Sequence, residues 1–311
     1  MSSRPFALGA DGAPALRPQG PVEPSRAGSS ARMLSAARAL LSDRKVAVPF
    51  AVLVLLVLFA IFAPIFSADP DAQDLLHSLQ RPSLSHLMGT DQLGRDVFAR
   101  VADGARISLI VATLVTLAGA LLGGLIGLLA GTIGGVSDGV AMRLMDAILA
   151  FPPLILAMAV TVGFGIGLNT AAIGVALVSV PWYARLLRSE ALRIRSLPFI
   201  EASYAIGMKR SRVIARHVIP HMLPVLFIQM AAAFGYAVLG LASLSFVGLG
   251  AQPPTPEWGA LMTEGLSYSL TGQWWISIFP GVALLITVTA ASMLSDRMRD
   301  LLDPRGEYAR L

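Results

Sequence analysis

Apolar residues in this chain come in long uninterrupted blocks, and the polar residues collect between them. Residues 46–66 run for 21 positions without Asp, Glu, Lys or Arg, and a helix needs about 20 apolar residues to cross the hydrocarbon core of a bilayer. This block predicts span one. Residues 107–137 are also uncharged and end in a Gly-rich stretch (Gly123, Gly124, Gly127, Gly131, Gly134, Gly135), which predicts span two and a turn. Residues 147–184 carry no charge but are too long for one helix; the segment GFGIGLN at 163–169 divides them into spans three and four. Residues 217–256 hold span five and residues 265–295 span six. The pattern predicts an all-α integral membrane protein of six transmembrane helices.

Composition excludes the soluble alternatives. Hydrophobic residues make up 55% of the chain and charged residues 14%, against roughly 25% charged in an ordinary soluble domain. With so few charges the chain cannot cover a globule with wetted groups. The net charge of +5 invites a nucleic-acid reading, but the cations follow the connections between spans. The 4–5 connection carries Arg185, Arg188, Arg193, Arg195, Lys209, Arg210, Arg212 and Arg216, and the C-terminal end carries Arg297, Arg299, Arg305 and Arg310. The 1–2 connection is acidic, with Asp69, Asp71, Asp74, Asp91, Asp96 and Asp103, and the 5–6 connection has Glu257 and Glu264 without a cation. Cytoplasmic loops are enriched in Lys and Arg, so both termini and the 4–5 loop are expected in the cytoplasm. No nucleic-acid partner is expected; the bilayer is.

Residues 1–45 are rich in Pro, Gly, Ser, Ala and Arg, a composition that cannot bury a core, and they predict a disordered cytoplasmic tail. Span one then occupies 46–67, an outer loop 68–105, a helical body 106–296 with its cytoplasmic loop at 196–217, and a cytoplasmic tail 297–311. The absence of cysteine removes thiolate chemistry and disulfides, and four scattered histidines give no metal site. There is no G-x-x-x-x-G-K-[ST] phosphate loop, so the glycines at 123–135 are read as helix-packing positions.

The 196–220 loop is the most informative stretch. Pro198 suits the first turn of a helix, Glu201 sits where an acid favours the macrodipole, and Gly207 is a natural helix stop. A second short helix follows, with Val213, Ile214 and Val218 on one face. Composition alone favours a surface loop whose arginines meet lipid headgroups. The residues Glu201-Ala202-Ser203, with Gly207 and Ile219-Pro220 further on, resemble the EAA loop of ABC importer permeases, with Ser203 departing from that pattern as a small-for-small change.

Three further stretches are similar to the dipeptide/oligopeptide/nickel permease subfamily: GTDQLGRD at 89–96, SFVGLGAQPPTPEWG at 245–259, and DRMRDLLDP at 296–304. The match runs from about Lys45 to Arg305, and QPPTPEWG looks closest to the C-type permease subunit of dipeptide importers. His221 departs from the Asn that many relatives have after the Pro. The resemblance implies the type I ABC importer fold, in which the loop is a coupling helix that docks on an ATP-binding subunit. Glu201, Ala202, Ser203, Gly207, Arg210 and Arg216 are then the coupling residues.

It also implies the partners. These are a second homologous permease forming a heterodimer, one or two ABC ATPase subunits that bind ATP and Mg, an extracytoplasmic substrate-binding protein, and a peptide substrate. The location implied is the bacterial cytoplasmic (inner) membrane. This chain itself holds no cofactor and no metal.

The outer loops have physical readings of their own. Thr90 or Asp91 would cap a helix, and Arg95 with Asp96 would tie down the loop. Pro253 to Pro256 ends span five, and Trp258, Trp274 and Trp275 would anchor at the outer interface. Asp91, Arg95, Asp96, Pro254, Glu257 and Trp258 are the candidate docking positions for a binding protein. Arg143 and Asp146, three apart, would pair or snorkel.

Two further classes compete. The same machinery would serve a nickel chelate or haem. An intramembrane hydrolase on Ser243 or Ser245 would need a histidine base at their depth, and His221 lies too near the cytoplasmic face. An ion-coupled carrier would need ionisable groups at mid-membrane, and the spans hold almost none.

Overall fold

The computed structural model describes residues 44–67 and 69–302, and among them the chain is helical, with one isolated bridge between Thr90 and Asp96. The long elements are α1 (Arg44–Phe66), α2 (Val97–Ile133), α3 (Gly135–Leu149), α4 (Pro153–Phe164) and α5 (Leu168–Arg195). They continue with α6 (Pro198–Ala205), α7 (Arg210–Val213), a π turn at Ile214–Val218, α8 (Ile219–Phe246), α9 (Trp258–Ser269) and α10 (Trp275–Leu302). Residues 1–43 and 303–311 lie outside the described part. So do the predicted disordered tail, apart from Arg44 and Lys45 at the start of α1, and the end of the 296–304 stretch.

Five helices are long and apolar enough to cross a membrane, and the pair α3–α4 makes a sixth when counted as one broken span. That pair corrects the third span. The expected straight helix through 147–163 is bent by 90°, and the cause is local: Pro152 and Pro153 cannot supply the N–H groups a continuous helix requires. Pro153 opens α4 at its first position. The other division was placed correctly, since α4 stops at Phe164 and α5 restarts after Gly167, whose N–H bonds Leu249 O at 3.2 Å.

Two boundaries also move. Helix α2 starts at Val97, ten residues before the uncharged block, because Asp96 caps it by accepting from the Ala99 N–H at 2.9 Å. Span six starts at Trp275, and Gly265–Ser269 belongs instead to the short helix α9.

Helices α2 and α5 form the spine of the bundle. A Cβ on Gly123 would meet Val180 O at 2.4 Å, and one on Gly127 would meet Ala184 O at 2.4 Å. Backbone carbonyls cannot yield, so only glycine permits this approach. Close approach of this kind is what small residues give membrane helices, where water exclusion drives nothing. Apolar side chains such as Leu55, Ile61 and Leu121 stand exposed on the outside of the bundle, as lipid-facing positions require.

The buried residues gather in four clusters, the smallest made of Met145, Val180 and Ala184. One, at the end carrying the 69–96 loop (the far end below), contains Val97, Val101, Trp258, Trp275 and Ile276. A central one contains Ala112, Val115, Ala157, Ala171 and Leu241. The third, at the end carrying the 196–210 loop (the knob end below), contains Leu187, Ile194, Ile200, Val213, Val218 and Met222.

Candidate functional site

The 196–220 segment folds as its residues predict. Pro198 opens α6, and α6 ends at Ala205 before Gly207, which takes the left-handed conformation (φ +83°). The Gly207 N–H bonds Tyr204 O at 2.9 Å and the Met208 N–H bonds Ser203 O at 3.1 Å, the pattern that satisfies the last carbonyls of a helix. Ile200 is fully buried and Ser203 nearly so, with Ser203 Oγ donating to Phe199 O at 2.7 Å. Glu201, Ala202, Tyr204, Ile206 and Gly207 face outward.

One side of α6 is therefore fixed to the bundle, and the other is a small exposed surface with one carboxylate among apolar groups. Its buried side shares a core with Leu187 and Ile194 of α5, Val213 of α7, and Met222 of α8. A push on α6 thus reaches the ends of two long helices directly.

The arginines of this knob have specific duties. Arg195 donates to Gly131 O at 2.9 Å and Arg210 to Ile133 O at 3.2 Å, closing the orphan carbonyls at the end of α2, where a cation is favoured. Arg216 is exposed. Arg188 holds Asp138 through two bonds, at 2.5 and 2.7 Å, and Arg185 holds Asp146 at 2.5 Å, so α3 is fastened to α5. The expected Arg143–Asp146 pair does not form; Asp146 turns to Arg185 on the neighbouring helix. Between the knob and α8 the helix widens into the π turn, just before Pro220, and single π turns of this kind are concentrated at functional sites.

At the far end the candidate docking residues form a second constellation, more buried than a surface reading expects. Asp91 accepts from Arg95 Nε at 2.6 Å and from Arg100 at 3.1 Å, and Glu264 accepts from Arg95 at 3.0 Å and from Arg100 at 2.5 Å. Asp91, Arg95 and Arg100 are each less than 5% exposed. Asp91 caps no helix: its Oδ1 accepts the Leu93 and Arg95 N–H groups and shapes the loop, while Asp96 does the capping and also bonds His86 at 2.9 Å. The tie is Arg95 to Asp91, not Arg95 to Asp96.

Arg100 also donates to Pro254 O at 3.2 Å, which joins the 89–100 and 254–264 segments. Glu257 is buried and caps α9 through the Ala260 N–H at 3.1 Å, with Ser108 Oγ donating to it at 3.3 Å. Neither Trp258 nor Trp275 is an interfacial anchor. Both are buried, with their indole N–H groups on Val101 O and Thr90 O, each at 3.1 Å; Trp274 alone stays half exposed. At the exposed rim of this end, a hydrogen bond from His77 at 2.7 Å holds the Asp74 carboxyl below the ordinary carboxylate range.

Sequence reading missed Arg100, Glu264 and Ser108. Arg100 and Glu264 are 164 residues apart, and no local spacing announces such a pair.

Between the two ends, a cavity of about 800 Å³ opens among α2, α4, α5, α8 and α10, lined by residues that include Thr116, Leu154, Ser179, Tyr183 and Tyr236. No hydrolytic pair exists here. Ser243 Oγ donates to Leu239 O, and Ser245 Oγ accepts from the Ala251 N–H. His221 lies 22 residues before Ser243 on α8, about 33 Å along the axis. Among the described residues no cluster of three His or carboxylate side chains could hold a metal ion.

The comparisons with known proteins converge on one family. Residues 123–307 match the model of the binding-protein-dependent transport system inner membrane component. The probable D,D-dipeptide transport system permease protein of Escherichia coli (strain K12) is 40% identical over 82% of this chain and 86% of its own length. The dipeptide transport system permease protein of Alkalihalophilus pseudofirmus is 36% identical over 80% of this chain and 82% of its own. A glutathione transport system permease protein of Escherichia coli O1:K1 / APEC is 40% identical over 81% and 84%.

Among solved structures, the inward-facing methionine ABC transporter MetNI aligns with a TM-score of 0.51 at 21% identity, over 62% of this chain and 92% of that one. That likeness establishes the fold. With the family match spanning the knob and five apolar helices beside a broken sixth, this chain belongs to the inner membrane components of binding-protein-dependent transport systems, as a multi-pass permease subunit whose ATPase activity lies in separate subunits.

Proposed function

We propose that the chain is one permease subunit of an ABC importer that carries di- and oligopeptides across the bacterial cytoplasmic membrane by alternating access. The observation that carries the coupling role is the knob. Its buried side ties α6 to α5, α7 and α8, and its outer side presents Glu201, Tyr204 and Ile206 to a partner.

In this reading an ATPase subunit, which binds ATP and Mg, holds the exposed face of α6, with Glu201, Ala202, Gly207 and Arg216 at the contact. Ser203 and Arg210 fix the knob from within. Both termini face the cytoplasm, as the cations of the knob end require. A second homologous permease completes the channel, since six spans form half of it. A substrate-binding protein delivers cargo to the far end, where the Asp91–Arg95–Arg100–Glu264 cluster holds the loops around Asp96, Pro254, Glu257 and Trp258 in a fixed shape.

Peptide cargo is favoured over a nickel chelate or haem because the three relatives named above are permeases for a D,D-dipeptide, a dipeptide and glutathione. The test is Gly207→Pro. Proline cannot adopt the positive φ and removes the N–H given to Tyr204 O, so the knob changes shape while the spans do not. Peptide uptake should be lost, with membrane insertion unchanged. Normal uptake in that variant would end the coupling reading.

A further inference from the structure

The cavity among α2, α4, α5, α8 and α10 falls within the roughly 300–1,000 Å³ typical of small-molecule sites, and its wall has a distinct chemistry. Thr116, Ser179 and Ser243 give their hydroxyl protons to carbonyls of their own helices, Ala112 O at 2.8 Å, Ala176 O at 2.7 Å and Leu239 O at 2.7 Å. They offer cargo little beyond lone pairs. Tyr183 differs: it is fully buried, a Cβ on Gly123 would meet its own Cβ at 2.7 Å, and its hydroxyl has no partner among the described residues. A buried hydroxyl left unpaired carries a desolvation cost.

Charge enters the lining in one place. Asp296 and Arg299 are the only charged residues of the cavity among the described residues, of opposite sign and three apart on α10. Asp296 lies 21 residues beyond Trp275, about 32 Å along the axis, which is the thickness of a hydrocarbon core. The pair therefore stands at the mouth of the cavity on the knob side. Both side chains are exposed, and among the described residues neither is in an ion pair. Four acids at the same end are matched, Asp138 with Arg188, Asp146 with Arg185, Glu190 with Arg193, and Asp300 with Arg297.

We propose that Asp296 and Arg299 are the exit station for cargo, Asp296 taking the terminal ammonium and Arg299 the terminal carboxylate of a short peptide. The proposal rests on the peptide reading above and adds the chemistry by which the cargo is held. Residues at i and i+3 of a helix stand about 5–6 Å apart at Cβ, and two extended residues span at most about 7 Å, so one dipeptide reaches both charges. Exposure keeps the contacts weak, which suits a site that must release.

The experiment uses the whole complex, purified in mild detergent without nucleotide or binding protein. Binding of radiolabelled Ala-Phe and of its N-acetylated, C-amidated form is measured by equilibrium dialysis. Asp296→Asn and Arg299→Gln should each weaken the zwitterionic dipeptide roughly tenfold, the scale of one charge-assisted hydrogen bond. The blocked peptide should bind weakly and ignore both changes, and Asp296→Glu with Arg299→Lys should restore most of the affinity.

Unchanged Ala-Phe affinity, or an equal loss for the blocked peptide, overturns the station. So does loss of the partner subunits on Asp296→Asn, which would assign these charges to an interface. If the unaltered complex neither binds Ala-Phe nor imports it with its binding protein, the peptide reading fails and the station with it. Import by the unaltered complex, with affinity indifferent to both changes, fails the station alone.

Discussion

Arg100 is less exposed than most leucines in this chain, and the reason is its company. Removing ions from water costs several kcal/mol each, which their mutual attraction repays only when every partner is present. Arg100 has Asp91, Glu264 and the Pro254 carbonyl. Arg100→Met should therefore destabilise the protein by about 3–5 kcal/mol. Glu257→Gln keeps an acceptor for the Ala260 N–H and should cost about 1 kcal/mol. Thermal unfolding of the purified complex, followed for both variants, checks the order; equal shifts would mean the cluster carries no special weight. The GTDQLGRD stretch singled out Asp91, Arg95 and Asp96 through its resemblance to the permease subfamily's signature. It could not say which acid caps and which one binds arginine, since that depends on where α2 begins. Arg100 and Glu264 were hidden because each looks ordinary until the fold brings them together.

At the scale of elements, the glycines of α2 and α3 separate into two kinds. Gly127 faces the backbone of α5, where a Cβ would meet Ala184 O at 2.4 Å and Arg188 N at 2.9 Å. Gly139, on α3, has nothing within 4 Å of its Cβ position. Gly127→Leu should force α2 and α5 apart and sharply reduce the folded yield. Gly139→Ala should be neutral or stabilise by up to about 1 kcal/mol, the helix propensity gained. Size-exclusion profiles and unfolding midpoints of the two variants separate these outcomes. A common effect would deny the close approach its role. The Gly-rich block was legible as a packing surface, because membrane helices use small residues for little else. The bend between α3 and α4 was not, although Pro152–Pro153 stood in plain view, because an uncharged run of that length masks a break inside it.

For the molecule as a whole, the open question of count is whether the broken pair crosses. Asp138 and Asp146 hold α3 at the knob end, whereas the turn after α4 meets Leu249 at the far end, so the pair reaches from one end to the other. With no cysteine in the chain, single introduced ones report cleanly. In intact cells an impermeant maleimide should label Ile166→Cys, while Val136→Cys should react only after permeabilisation. Labelling of both from outside would make the pair a re-entrant loop and leave five spans. The uncharged blocks already implied the bundle of spanning helices. The short helix α9 escaped, because its apolar residues merged with those of the last span.

The cluster that joins Arg100 to Glu264 also imposes an order on synthesis. The two residues are 164 positions apart, and at about 5–20 residues per second the ribosome needs roughly 10–30 s to travel from one to the other. Through that interval the first loop has already emerged, with Asp91 as the sole carboxylate for two arginines. The far end therefore locks only after residue 264 has been made, and a nascent chain that stalls before it carries an unfinished clasp.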